Sequence, residues 1–127
     1  MPHLILEYTD NLDARISIQD VLRHLNETLR AKEDVFPTGG IRVRAIKLEN
    51  YVIADGKEDD AFVHATLKIG PGRTSEQKEG VGNALFEVLK NDFASIYESS
   101  YLALSLNIEE FPVGGNFKQN NLHGRFR

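Results

Sequence analysis

The second residue of this chain has the least ordinary chemistry. Trimming of an initiator Met before a small residue would leave Pro2 as the amino terminus. Proline is the one residue whose free terminus is a secondary amine. An ordinary α-amine titrates near about 8, and a secondary amine starts more basic. Burial, or neighbouring cations, would disfavour its charged form and bring its pKa toward neutrality. An amine poised there can take a proton from one atom of a substrate and return it to another. With Met1 in place the Pro2 nitrogen is an amide and this chemistry is blocked. Proline is also well tolerated as the first residue of a strand, so this feature alone leaves both roles open.

The arginines are the next groups to place. Strand alternation over Ile41 to Leu48 puts Arg42 and Arg44 on one face. Arg73 follows Gly70-Pro71-Gly72 and precedes Thr74, beside the start of a helix, where backbone N–H groups and the dipole favour an anion. Strand arginines more often pair with a surface or interface carboxylate, and Glu7 is available for that. The histidines are His3, His24, His64 and His123, and none makes the spaced pair of a helical zinc motif. His24 reads as helix surface and His64 as a core or interface hydrogen-bonder. The role of His123 stays open.

Bulk properties narrow the field. The 127 residues fit one domain, 1–127. An apolar content of 41% and a charged content of 27% are those of an ordinary soluble protein. The net charge of −4 disfavours a general nucleic-acid or membrane-surface binder. With no cysteine there is no thiolate chemistry, disulfide or Cys-based zinc site, which suits the cytoplasm. No signal peptide or membrane span is indicated.

These groups must be positioned by regular elements. Residues 3–8 read as a strand. Ser17 with Asp20 resembles a capping box, and Ile18, Val21, Leu22, Leu25 and Leu29 give helical spacing over 18–31. Residues 41–48 and 62–69 are strands, separated by an Asp55-Gly56 turn and a charged tip. Thr74 with Gln77 forms a second capping box, opening a helix over about 75–97. Leu102, Leu104, Leu106 and Ile108 trace a fourth strand. The tail 116–127 is polar and irregular, with Phe117 and Phe126 as expected anchors. The order β-α-β, β-α-β predicts an α+β fold: a mixed four-stranded sheet with both helices on one face. The other face is half polar. Ferredoxin-like folds and tautomerase-like pairs of β-α-β units both fit this order.

Several stretches resemble the 5-carboxymethyl-2-hydroxymuconate isomerases of the tautomerase superfamily. They are Met-Pro-His at 1–3, Phe-Pro-x-x-Gly-Ile-Arg-x-Arg at 36–44 and Ala-Asp-Gly at 54–56. Ala-Phe-Val-His-x-Thr-Leu-Lys-Ile-Gly-x-Gly-Arg follows at 61–73, Leu-Ala-Leu-Ser-x-x-Ile-Glu-Glu at 102–110, and Asn-Phe-Lys-Gln-Asn-Asn-x-His at 116–123. The resemblance runs from end to end. It implies a homotrimeric isomerase of aromatic catabolism, in the breakdown of homoprotocatechuate, using no metal or organic cofactor. It implies that Pro2 carries the proton, and that Arg42 and Arg73 hold carboxylates of a polycarboxylate substrate. Arg44 is a further candidate for the same task. Two other readings stand beside it. One is a tautomerase of another keto–enol acid. The other is a ferredoxin-like, non-catalytic ligand-binding module.

Overall fold

A computed structural model of the chain describes residues 1–126. Arg127, the last residue of the expected tail, lies outside the described residues. The strands are β1 (His3–Thr9), β2 (Arg42–Leu48), β3 (Ala61–Ile69) and β4 (Leu102–Glu110). The helices are α1 (Ile18–Arg30), α2 (Ser75–Asp92) and α3 (Ala94–Ser99). Short 3-10 turns lie at Asp10–Leu12, Thr38–Gly40 and Leu122–Phe126.

The sheet order is β2-β1-β3-β4. β1 runs parallel to β2, β3 runs parallel to β4, and the central pair β1–β3 is antiparallel. This order decides between the two architectures. In the split arrangement of ferredoxin-like folds another strand separates the two strands of a crossover. Here each crossover joins strands that are directly hydrogen-bonded, so the chain is a pair of simple β-α-β units.

Alternation along β1 and β3 builds the core. Leu4 and Leu6 of β1 meet Leu67 and Ala65 of β3 in register, all at most 1% exposed. Val21, Leu25 and Leu29 of α1 and Val81, Leu85 and Leu89 of α2 cover them. Each buried leucine stabilises the fold by roughly 2 kcal/mol. The head of β1 is thereby fixed at the centre of the sheet. The opposite face carries His3, Ile5 and Glu7, flanked by Arg42, Arg44 and Ile46 on one side and Lys68, Thr66 and His64 on the other. Ser105 and Asn107 extend it on β4. This is the half-polar face that the alternation predicts.

Both helix starts follow the capping pattern. The Ser17 hydroxyl accepts from the Asp20 N–H, and Thr74 and Gln77 form the full reciprocal box. The end of the second helix differs from expectation. The helix expected over 75–97 breaks at Phe93, which is fully buried with φ −97° and ψ 9°. An 18-residue α2 is about 27 Å long, close to the roughly 30 Å of a nine-residue strand. A helix continued to 97 would overshoot the sheet. The chain bends at Phe93, and α3 carries Ile96 into the core before β4 begins.

The tail also differs. Its end forms a 3-10 turn, and the expected aromatic anchors do not anchor it. Phe117 is 91% exposed and Phe126 51%. The tail is held instead by polar and backbone contacts at Gly39.

Candidate active site

Pro2 is buried at the head of β1. Its carbonyl accepts from the Arg42 N–H at 3.0 Å, which opens the β1–β2 ladder. Proline lacks an N–H, and at the first position of a strand that omission costs nothing. The ladder thus holds Pro2 firmly at the head of the strand. Met1 continues the chain over the Gly39-Gly40 turn. Its Cα lies 3.4 Å from where a Gly40 Cβ would be.

Arg42 folds back onto that turn. Its Nη1 donates to the carbonyls of Gly39 and Ile41, both at 3.1 Å. Its Nη2 faces the Met1 thioether, with Sδ at 3.8 Å. Arg73 arrives from the β3–α2 loop, where Gly72 at φ +111° makes the turn that only glycine adopts readily. Its Nη1 donates to the Gly70 carbonyl at 3.2 Å and its Nη2 to the Val35 carbonyl at 3.0 Å. The guanidinium lies 4.7 Å from the centre of the Phe36 ring, a cation–π contact. Each terminal nitrogen keeps a second N–H for a ligand. The buried Nε of Arg73 has no partner among the described residues.

The protonation of the terminal amine reports how these groups combine. Burial lowers the pKa of the Met1 amine first, then the charges of Lys118, Arg73 and Arg42. Three cations from three distant segments therefore converge on the amino terminus. Among the described residues, no carboxylate forms an ion pair with any of them.

Arg44 takes a different position. Its Nη1 lies 3.0 Å from Nδ1 of His3. Arginine can only donate, so that nitrogen is the acceptor and the ring is neutral. Partial burial lowers the His3 pKa most, followed by Arg44, Arg42, the terminal amine and Lys68. His3 also packs edge-on against Phe111, with ring centres 5.9 Å apart. Among the described residues Glu7 forms no ion pair. The other histidines have local partners. His24 pairs with Asp92 at 2.8 Å on the helix surface, and His64 Nδ1 meets the Ser105 hydroxyl at 2.7 Å.

His123 and Asn120 lie at the site, where the sequence reading gave them no role. Asn120 Nδ2 donates to the Gly39 carbonyl at 2.8 Å, sharing that oxygen with Arg42. A Cβ at Gly39 would come within 2.8 Å of the His123 Cα, so only glycine lets the tail lie this close. Lys118 was missed as well, although it lies within the 116–123 stretch. The motif was the only signal that could have found it, because no local periodicity marks a cation in an irregular tail. Among the described residues no group of three or more His, Asp or Glu is arranged to hold a metal ion.

The arrangement is a terminal amine of lowered pKa at the head of a central strand, ringed by cations. It suits proton exchange with an anionic substrate. The fold, two β-α-β units sharing one mixed sheet, is that of the tautomerase superfamily. The family model for 5-carboxymethyl-2-hydroxymuconate isomerase matches residues 2–126, and the chain belongs to that family of isomerases. The chain is 44% identical, over all 127 residues and the full length of both proteins, to the Escherichia coli 5-carboxymethyl-2-hydroxymuconate Delta-isomerase. A crystal structure of a 5-carboxymethyl-2-hydroxymuconate isomerase from Deinococcus radiodurans R1 superposes with a TM-score of 0.94 at 50% identity. That match covers 99% of this chain and 94% of the other. A more distant structure, described as a fused 4-OT wild-type symmetric trimer, shares the fold at a TM-score of 0.64 and 17% identity. It covers 91% of this chain and 90% of that one.

Proposed function

We propose that the chain, once Met1 is removed, isomerises 5-carboxymethyl-2-hydroxymuconate by proton transfer through Pro2. The observation that carries this reading is the half-buried amino terminus with Arg42, Arg73 and Lys118 around it and, among the described residues, no carboxylate paired to them. Such a field favours both a neutral amine and an anionic ligand.

The substrate is a muconate, a di-acid, bearing a carboxymethyl group, and so has three carboxylates. Burying them without cationic partners would be prohibitive. Arg42 and Arg73 each receive one. Both guanidiniums are already fixed by backbone carbonyls, so little side-chain freedom is lost on binding. The Met1 thioether in front of Arg42 stands where a carboxylate oxygen would be received. Arg44, beside His3, adds positive potential from the outer part of the same sheet face. The neutral Pro2 amine takes the proton of the 2-hydroxyl, breaking the O–H bond. The electron pair shifts along the diene, and Pro2 returns the proton to the far carbon, giving the 2-oxo isomer. The arginine-bound carboxylates stabilise the charge that develops between the two transfers. The reaction as proposed uses no cofactor, and it belongs to cytoplasmic homoprotocatechuate breakdown. Among the described residues no helix is long and apolar enough to cross a membrane.

The direct test is ultraviolet-monitored conversion of this substrate by protein shown by intact mass to lack Met1. Rapid conversion is expected. No conversion above background, with the amine free, would remove this substrate and turn attention to simpler keto–enol acids.

The assembly proposed is a homotrimer. The sheet face opposite the helices is uncovered, with Ile46 49% exposed, and β2 and β4 are both outer strands of the sheet. Unpaired edges and an open face of this kind call for a partner. The trimeric relative of the same fold is consistent with it. Sedimentation equilibrium is expected to give three times the chain mass, and a stable monomer would count against the assembly.

A further inference from the structure

We propose that Lys118, carried on a C-terminal strap pinned at Gly39, binds the third carboxylate of the substrate and separates tri-acids from di-acids. The inference rests on the reading that the cationic cluster is the substrate site.

The strap's placement is geometric. Asn120 donates to the Gly39 carbonyl, the same oxygen that anchors Arg42. The His123 backbone lies against Gly39, and the His123 ring lies 3.6 Å from where a Gly40 Cβ would be, close to the Met1 Cα. The strap is therefore fixed against the turn that carries the amino terminus. Lys118 precedes Asn120 by two residues, at most about 7 Å of chain. Its flexible four-carbon stem carries a charge with three donors.

Charge counting points the same way. Arg42 and Arg73 account for two carboxylates, and a third needs its own cation. Arg44 already directs Nη1 at His3. The Lys118 ammonium has no carboxylate partner among the described residues. It is exposed, whereas Arg42 and Arg73 are half-buried, so it would meet the outermost carboxylate, the group that a di-acid lacks.

The test uses the full chain lacking Met1, with propane-1,2,3-tricarboxylate and glutarate as probes in calorimetry at low salt. The wild type is expected to bind the tricarboxylate more tightly than glutarate. Lys118→Ala is expected to weaken the tricarboxylate by about tenfold while leaving glutarate unchanged, and Lys118→Arg to restore most of the difference. In kinetics, KM for 5-carboxymethyl-2-hydroxymuconate should rise in Lys118→Ala with kcat largely kept. Equal losses on both probes, no loss, or no wild-type preference for the tri-acid would each overturn the role. The two proposals fail separately. Conversion by the wild type with an unchanged preference in Lys118→Ala sinks only the lysine. A Lys118-dependent preference without conversion sinks only the isomerase reading.

Discussion

Pro2→Ala is expected to lower kcat by about 10²-fold or more while leaving the fold intact. The variant keeps an amino terminus once Met1 is trimmed, so a base is still present. It is a primary amine, less basic than proline's and free of the ring that fixes its direction. The loss should therefore be that of a misplaced and mistuned base rather than of binding, and KM should change little. Folding should be insensitive, because Pro2 contributes only a carbonyl to the ladder and Ala supplies the same one. Protein that retains Met1 should be inactive, since its Pro2 nitrogen is an amide. Turnover near wild type in Pro2→Ala would remove the proton-carrier role.

The pH profile follows from the same amine. Burial first, then Lys118, Arg73 and Arg42, lower the pKa of the Met1 amine, and the same surroundings would act on the Pro2 amine once Met1 is removed. A general base works only unprotonated, so kcat/KM should fall as pH drops through the amine's pKa. Because these surroundings lower it, the acid limb should lie below that of an unperturbed prolyl amine. Removing a cation raises the amine's pKa, and the limb should move to higher pH.

Arg42→Ala and Arg73→Ala are expected to cost the tri-acid substrate roughly 30-fold or more in kcat/KM, since truncating one partner of a bound charge pair costs about 2–5 kcal/mol. A mono-acid enol should suffer less. Arg73→Ala has a second effect. It strips the cation from the Phe36 face and leaves the Gly70 and Val35 carbonyls without their donor. Some loss of stability should accompany it. Arg73→Lys separates the two roles. It should keep the acid limb of the pH profile, because the charge remains, without restoring KM, because the planar fork is gone. Equal losses on the tri-acid and the mono-acid would argue against carboxylate pairing.

Much of this site was legible in the chain. The alternation that places Leu4 and Leu6 inward and Arg42 and Arg44 together is a local property with period two. The capping pairs at Ser17 and Thr74 are local as well, and they fixed both helix starts. Pro2 was singled out by its chemistry and its place in the chain, and the family by motifs spread from end to end. Each of these signals is carried by residues a few positions apart, even where several such stretches are read together. What the tertiary structure alone decided depends on which segments become neighbours. Direct pairing of β1 with β2 excluded the ferredoxin-like order. The finite length of the sheet broke the expected helix at Phe93. The Gly39 carbonyl gathered Arg42 and Asn120 from positions far apart in sequence, while Phe117, the expected anchor, stayed exposed. Arg44 turned to His3, and Lys118 joined Arg73 at the amino terminus. Periodicity reports which way a side chain faces within its own element. It carries no information on which distant charges share a pocket, because that is set by strand order and by how closely a glycine turn lets the tail approach.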